Sequence, residues 1–103
     1  MLFRSVYAGK EPVGFIMLDD DEVKPEYYLW RFMIAPPFQR KGFGAKAIAR
    51  LIEYVKTRPA ASELLVSYID HEQGPKMFYR GLGFVETGVS DGNEVQMRLD
   101  LSA

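Results

Sequence analysis

The segment from Tyr28 to Leu51 constrains the fold more than any other. A run of strand formers stops at Pro36-Pro37, passes through Gln39-Arg40-Lys41-Gly42-Phe43-Gly44, and continues as an amphipathic helix. A strand, a loop and a helix N-terminus therefore follow one another directly. The first turn of a helix presents backbone N–H groups with no partner inside the helix, and the aligned peptide dipoles place partial positive charge at the same end. Such an end attracts anions. Gly42 and Gly44 lack a Cβ, so an anion can approach the main chain closely, and glycine adopts positive φ without steric cost. Arg40 and Lys41 add cationic charge beside them.

The remaining segments read as elements around this one. Leu2 to Ala8 and Val13 to Leu18 are short apolar-rich runs flanking Gly9-Lys10-Glu11-Pro12, which predicts a β-hairpin. Asp19-Asp20-Asp21-Glu22 and Lys24-Pro25-Glu26 read as a solvated loop. The same acids would also serve as a lip that steers a cationic partner, an effect that weakens with salt. Tyr27 to Ile34 is aromatic, β-branched and nearly continuous, as expected of a strand buried on both faces. Arg31 inside such a strand requires a partner, and Asp70 and Glu86 are the candidates.

From Phe43 the apolar residues fall at Phe43, Ala47, Ile48, Leu51, Ile52 and Val55, a helical stripe with Lys46, Arg50 and Glu53 on the solvent side. Pro59 disfavours helical geometry at Arg58, so the helix should stop near Thr57. Ser62 to Ile69 predicts a buried strand, parallel to the preceding one and joined to it right-handedly. Pro75 suits the first turn of a helix running to Leu82, and Gly83 suits a left-handed cap. Phe84 to Thr87 and Val95 to Leu101 close the chain as a pair with its turn at Ser90-Asp91-Gly92-Asn93. The expected class is α/β (α+β), a mixed central sheet with flanking helices in the order β-β-β-α-β-α-β-β.

At 103 residues there is room for one domain. Hydrophobic content of 48% and charged content of 26% are those of a soluble globular chain. The formal net charge of -1, from 13 basic and 14 acidic residues, disfavours a nucleic-acid partner. Without cysteine there is no thiolate nucleophile, disulfide or thiolate metal site, and the lone His71 builds no metal cluster. No stretch approaches membrane-spanning length and the N-terminus lacks a signal-peptide pattern, so a cytoplasmic location is expected.

The spacing Gly42-x-Gly44-x-x-Ala47 also meets the dinucleotide-binding fingerprint, but there the first glycine follows the strand closely. Here Ala35 to Lys41, with two prolines, intervene, and Glu63 and Asp70 are poorly placed for the ribose-binding acid. Gln39-x-x-Gly42-x-Gly44 between a strand and a helix instead resembles the acyl-CoA signature of the GCN5-related N-acetyltransferase superfamily. Phe78-Tyr79-Arg80-Gly81-Leu82-Gly83-Phe84 resembles its second signature, and Leu29-Trp30-Arg31-Phe32-Met33-Ile34 looks like the bacterial spermine/spermidine acetyltransferase subgroup. The resemblance covers residues 1–103 as a single domain that lacks the superfamily's first strand and the two helices after it.

That resemblance implies an acetyl-CoA-dependent transfer of an acetyl group to a primary amine of a small molecule, such as a polyamine, by direct attack on the thioester. The alternative is a non-catalytic acyl-CoA-binding or regulatory module, or a fragment of a longer acetyltransferase. The pyrophosphate would sit on the backbone of Arg40, Lys41, Gly42, Phe43 and Gly44, with Gln39 in the same signature. The pantetheine arm would lie along the main chain of Phe32 and Ile34, and Phe32 or Met33 would donate an N–H to the thioester oxygen. Tyr79 aligns with the general acid that protonates the leaving thiolate. The base is less defined: Glu26 at the start of the strand is the candidate, with Asp70 and His71 as others acting through water. Where the superfamily often has Asn, this chain has Glu72, and the adjacent Gln73 would take over the amide contact to the cofactor. Homodimerisation is expected through an exposed sheet edge.

Overall fold

A computed structural model of the chain describes residues 2–21, 26–39, 42–58, 60–71 and 74–101. The strands and helices come in the expected order: β1 (Leu2–Ala8), β2 (Glu11–Asp21), β3 (Glu26–Ile34), α1 (Phe43–Lys56), β4 (Glu63–Ile69), α2 (Lys76–Gly81), β5 (Val85–Asp91) and β6 (Glu94–Asp100). A 3-10 turn over Pro36–Phe38 leads from β3 toward α1. The six strands form one mixed sheet in the order β1-β2-β3-β4-β6-β5. Only β3 and β4 run parallel, as a crossover through α1 requires.

Strand alternation decides where the core lies. Leu18, Tyr27, Leu29, Leu64, Val66, Tyr68 and Met97 turn to one side of the sheet, where they meet Ala47, Ile48, Leu51 and Val55 of α1 and Tyr79 of α2. Ile48, Val55, Leu64, Val66 and Met97 are fully buried, each contributing on the order of 1.5–3 kcal/mol of transfer free energy. Lys46, Arg50 and Glu53 are exposed on the outer side of α1. Both helices thus cover the same face. The other face, which carries Tyr28, Ser67 and Gln96, has no helix over it among the described residues. No helix among those residues is long and apolar enough to cross a membrane.

This one-sided cover corrects the expectation for β3. Trp30 is 38% and Met33 49% exposed, so the strand is buried on the helix side alone. Arg31 is exposed and needs no carboxylate. Its guanidinium donates to the Trp30 carbonyl at 2.8 Å, while Glu86 is engaged by Lys76 at 3.0 Å and Arg80 at 3.5 Å. Those two cations, the Lys76 hydrogen bond first, hold the Glu86 carboxyl below the usual range.

The acidic run is also placed differently. Asp19, Asp20 and Asp21 continue β2, opposite Tyr28, Tyr27 and Glu26, because the tyrosine segment of β3 extends the ladder past the last apolar residue of β2. Residues 22–25 lie outside the described residues. At the closing pair, Ser90 and Asp91 belong to β5, and the turn is confined to Gly92 and Asn93.

The expected cap of the last helix is present in full. Leu82 is the C-cap, Gly83 follows at φ +101°, and the N–H groups of Gly83 and Phe84 donate to the carbonyls of Arg80 and Tyr79 at 3.0 and 3.1 Å. That pair of bonds satisfies carbonyls the helix end would otherwise leave open. A Cβ at Gly83 would be strained by its φ and would lie 3.3 Å from Leu99 Cδ1. Replacing Gly83 by Ala should therefore cost about 1–2 kcal/mol, read as a lower urea midpoint with an unchanged slope.

Candidate functional site

The site follows from a break in the parallel pairing. β3 and β4 match at only two positions, Tyr28 with Leu65 and Leu29 with Val66. In the β2–β3 ladder, Leu18 faces Leu29 and Met17 faces Arg31, so Trp30 is an extra residue on β3 at that level. A bulge bends its strand and sharpens the local twist. Beyond it β3 stays with β2 and β4 stays with β6, and the two strands diverge. The wedge between them is a cavity of about 980 Å³, with Leu29, Phe32 and Ile34 on one side and Ser67, Tyr68 and Ile69 on the other.

One end of the wedge is the glycine loop. Gln39 Nε2 donates to the Ile34 carbonyl at 2.9 Å, tying the loop to the end of β3. Gly42 is the N-cap of α1 at φ +81°, with no side chain capping the helix. The first-turn N–H groups are thus left open, and Gly42, Gly44 and Ala45 line the cavity. Nothing lies within 4 Å of a Cβ built at Gly42, whereas one at Gly44 would meet the Phe78 ring at 3.4 Å. Gly42 is therefore favoured by backbone conformation, whereas a Cβ at Gly44 would only come into contact with an aromatic neighbour. Phe43 is half-buried, with its ring 6.5 Å from Phe38. Arg40 and Lys41 lie outside the described residues.

Next to the loop the lining is aromatic. Tyr79 is 5% exposed, with Phe78 and Phe84 each 5.4 Å away between ring centroids and Tyr68 at 6.0 Å. Burial pushes its hydroxyl up to about 12. It keeps its proton at any ordinary pH and lines the wedge beside Phe78. Phe78 also stacks near Phe32, at 6.3 Å, so the signature helix and β3 share one aromatic floor. Tyr68 has a buried hydroxyl with no hydrogen-bond partner among the described residues, and burial, followed by the charges of Asp70 and Glu86, raises its pKa.

The structure brings together Phe32, Ile34, Gln39, Gly42, Gly44 and Tyr79 around one cavity. Met33 is at the same end of β3 with its side chain turned outward. Glu26 begins β3, opposite Asp21 at the far end from the loop; its side chain lies outside the described residues, as do Glu72 and Gln73. Asp70 and His71 are exposed and do not line the cavity. Ser67, Tyr68, Ile69 and Glu94 also line it and escaped the sequence reading. Ser67 is a polar break in the apolar run of β4, a signal the sequence carried, whereas Glu94 is one of the regularly alternating polar residues of β6; their convergence depends on the β4–β6 register.

The acetyltransferase (GNAT) family model matches residues 1–84. No curated protein matches the chain. Among solved structures, the PaiA N-acetyltransferase from Thermoplasma acidophilum in complex with coenzyme A is similar at 22% identity and a TM-score of 0.79, over 96% of this chain and 60% of its own. The ribosomal-protein-S18-alanine N-acetyltransferase from Escherichia coli is similar at 22% identity and a TM-score of 0.81, over 99% and 70%. An aminoglycoside 6'-N-acetyltransferase complexed with coenzyme A matches at 15% identity and a TM-score of 0.82, over 98% and 73%. These likenesses are of fold, and the chain spans 60–73% of the length of these structures.

The state of Tyr79 is open to a direct test. Its folded pKa is raised from the ordinary phenol value of 10.0 to about 12, so the stability linked to its proton is complete below pH 10 and is lost as pH rises toward 12. The loss should approach about 2–3 kcal/mol. Urea unfolding between pH 9 and pH 12 should show a steeper fall in the wild type than in Tyr79→Phe; equal slopes would mean that the hydroxyl is solvated.

Proposed function

The chain belongs to the acetyltransferase (GNAT) family, and on that premise we propose that it is an acetyl-CoA-dependent N-acetyltransferase acting on a primary amine of a small molecule, with a polyamine as acceptor. The observation that carries this reading is the wedge itself, lined both by a helix N-terminus and by a buried, protonated phenol. The cavity has the volume of a cofactor pocket. The space before Gly42 is open, and β3 has no ladder partner on its wedge side beyond Leu29.

Bound acetyl-CoA supplies the thioester that the amine attacks directly, since the chain has no cysteine to hold an acyl group. The N–H groups of Gly42, Phe43 and Gly44 receive the pyrophosphate, with Arg40 and Lys41 adding charge. The main chain of Phe32 and Ile34 aligns the extended arm as an added strand would. An N–H of Phe32 or Met33 stabilises charge on the thioester oxygen. Tyr79 would donate its hydroxyl proton to the departing thiolate, and the proton shed by the attacking nitrogen would pass to water, from which the phenol is restored. Gln73 takes an amide contact to the cofactor. Glu26, the candidate base, stands at the opposite end of β3 from the glycine loop.

We read residues 1–103 as one acetyltransferase domain of cytoplasmic location, with homodimerisation supported by the unpaired outer edges of β1 and β5. A second reading, a module that binds acyl-CoA without turnover, is favoured by the uncovered face of the sheet.

Titrating acetyl-CoA calorimetrically into the wild type and Gly42→Glu tests the loop. Binding should be present in the first and weaker by about a hundredfold or more in the second, where bulk and negative charge enter the anion cradle. Absence of binding in the wild type would end the acetyltransferase reading. Tyr79→Phe should bind acetyl-CoA as well as the wild type and acetylate spermidine about a hundredfold more slowly; no turnover in either protein would favour the binding module.

A further inference from the structure

The proposed transfer leaves one step without a side chain, the removal of the proton that the attacking nitrogen sheds as its bond to the acyl carbon forms. The group that first receives this proton has to line the wedge, because the reacting nitrogen is the part of the acceptor that enters it. Among the described residues, the titratable side chains lining the wedge are Arg31, Tyr68, Tyr79 and Glu94. Arg31 keeps its proton at any ordinary pH. Burial, the largest cause in each case, raises the pKa of both tyrosines, so neither is a phenolate near neutrality. Glu94 remains, the one carboxylate among them. Asp70 and His71 do not line the cavity, and Glu26 begins β3 at the end away from the glycine loop.

The sheet holds Glu94 in a defined position. It stands opposite Ile69 in the β4–β6 ladder, and Ser67, two residues earlier on β4, shares its face. Ser67 Oγ donates to Glu94 Oε1 at 3.0 Å, which orients the carboxylate and leaves its second oxygen able to take a proton. The neighbouring Gln96, opposite Ser67, is braced from both sides: it accepts from Thr87 Oγ1 at 2.9 Å and donates to the Tyr28 hydroxyl at 3.3 Å. The charged groups facing Glu94 are Asp91, its partner in the β5–β6 ladder, and Arg31 on the wall of the wedge, whose guanidinium is turned onto the Trp30 carbonyl. Val95 and Met97 turn toward the helices, so Glu94 lies on the open face, whereas Tyr79 comes from α2 on the other side. The two groups therefore reach the wedge from opposite faces. That separation suits two different tasks, since the sulfur gains a proton while the nitrogen loses one.

We propose that Glu94, oriented by Ser67, is the general base that takes the proton of the reacting nitrogen. As the nitrogen lone pair forms the C–N bond and the C–S bond breaks, Glu94 accepts the N–H proton and Tyr79 gives its own to the thiolate. The proton on Glu94 then passes to water, from which the phenolate recovers one. Amine and thioester become amide and thiol, and both side chains are restored. The assignment rests on the N-acetyltransferase reading.

Steady-state acetylation of spermidine and of butylamine by the wild type, Glu94→Gln and Ser67→Ala tests it. Glu94→Gln should lower kcat about a hundredfold and leave the acceptor KM within about twofold. Its acetyl-CoA binding, measured calorimetrically, should match the wild type and so show that the variant is folded. The acid limb of the wild-type kcat profile should be missing in Glu94→Gln. In Ser67→Ala that limb should move to higher pH, because the lost hydrogen bond favoured the charged carboxylate. Equal kcat in the wild type and Glu94→Gln would overturn the assignment. A loss carried by KM alone would overturn it too, by making Glu94 a group that holds the acceptor. Turnover of neither amine by the wild type would instead remove the transferase reading, and this base with it.

Discussion

The structure depends on a parallel pairing that ends after two matched positions. A sheet that continued its ladder from Leu29 and Val66 to Ile34 and Ile69 would be closed, with every main-chain group spoken for. The extra residue at Trp30 prevents this by bending β3 away from β4, and each strand keeps its partner on the outer side. The cost of leaving one edge of β3 open is contained because β2 holds that strand from Gly14 to Asp21, and the helix-side core continues beneath it through Phe32 and Phe78. The opening is thus a local interruption in a sheet that is continuous elsewhere.

Two parts of the lining of the opening are built by different physics. At the loop the useful property belongs to the backbone: Gly42 at positive φ turns the chain into α1 without a capping side chain, so its N–H groups remain available. At the aromatic lining the useful property is desolvation. Tyr79 sits among Phe78, Phe84 and Tyr68, which deny its phenolate solvent and hold the proton on oxygen. The Gly83 cap fixes α2 behind that ring, since both of its bonds close on Tyr79 and Arg80. A helix end with open N–H groups and a buried, protonated phenol are therefore placed by the starts and stops of two helices.

Those helix ends were legible in the sequence because single residues encode them. Gly83 after Leu82, Pro59 after Arg58, and Gly42 before Phe43 each act through backbone restrictions that no tertiary context removes. The order of the elements along the chain and the parallel crossover were likewise readable from the spacing of apolar runs, whereas the insertion of β6 between β4 and β5 was not. What was not readable depended on which elements lie across from which. The run Tyr27 to Ile34 looks the same whether one or both faces are buried, and only the position of both helices on one side shows that Trp30, Arg31 and Met33 face outward. The bulge at Trp30 is set by the register against β2, to which an aromatic run gives no clue. Glu94 meets Ser67 only through the β4–β6 ladder.

The same opening also joins the two faces of the sheet. Phe32, Tyr68, Phe78 and Tyr79 reach the wedge from the helix side, and Trp30, Ser67, Ile69 and Glu94 reach it from the open side. A group held among the helices can meet a group held on the opposite face only where strands part, and among the described residues β3 and β4 part above Leu29. This divides the sequence constraints. Residues on the helix side are tied into the core, so changing them alters stability along with chemistry; Tyr68 and Tyr79 both belong to that cluster. Residues on the open side of the wedge are partly exposed and carry little packing, so changing them disturbs the fold less. Under the proposed acetyltransferase reading, acceptor specificity would vary on the open face where Trp30 lies, while donor binding and the proton for the leaving thiolate would stay with the face that α1 and α2 cover.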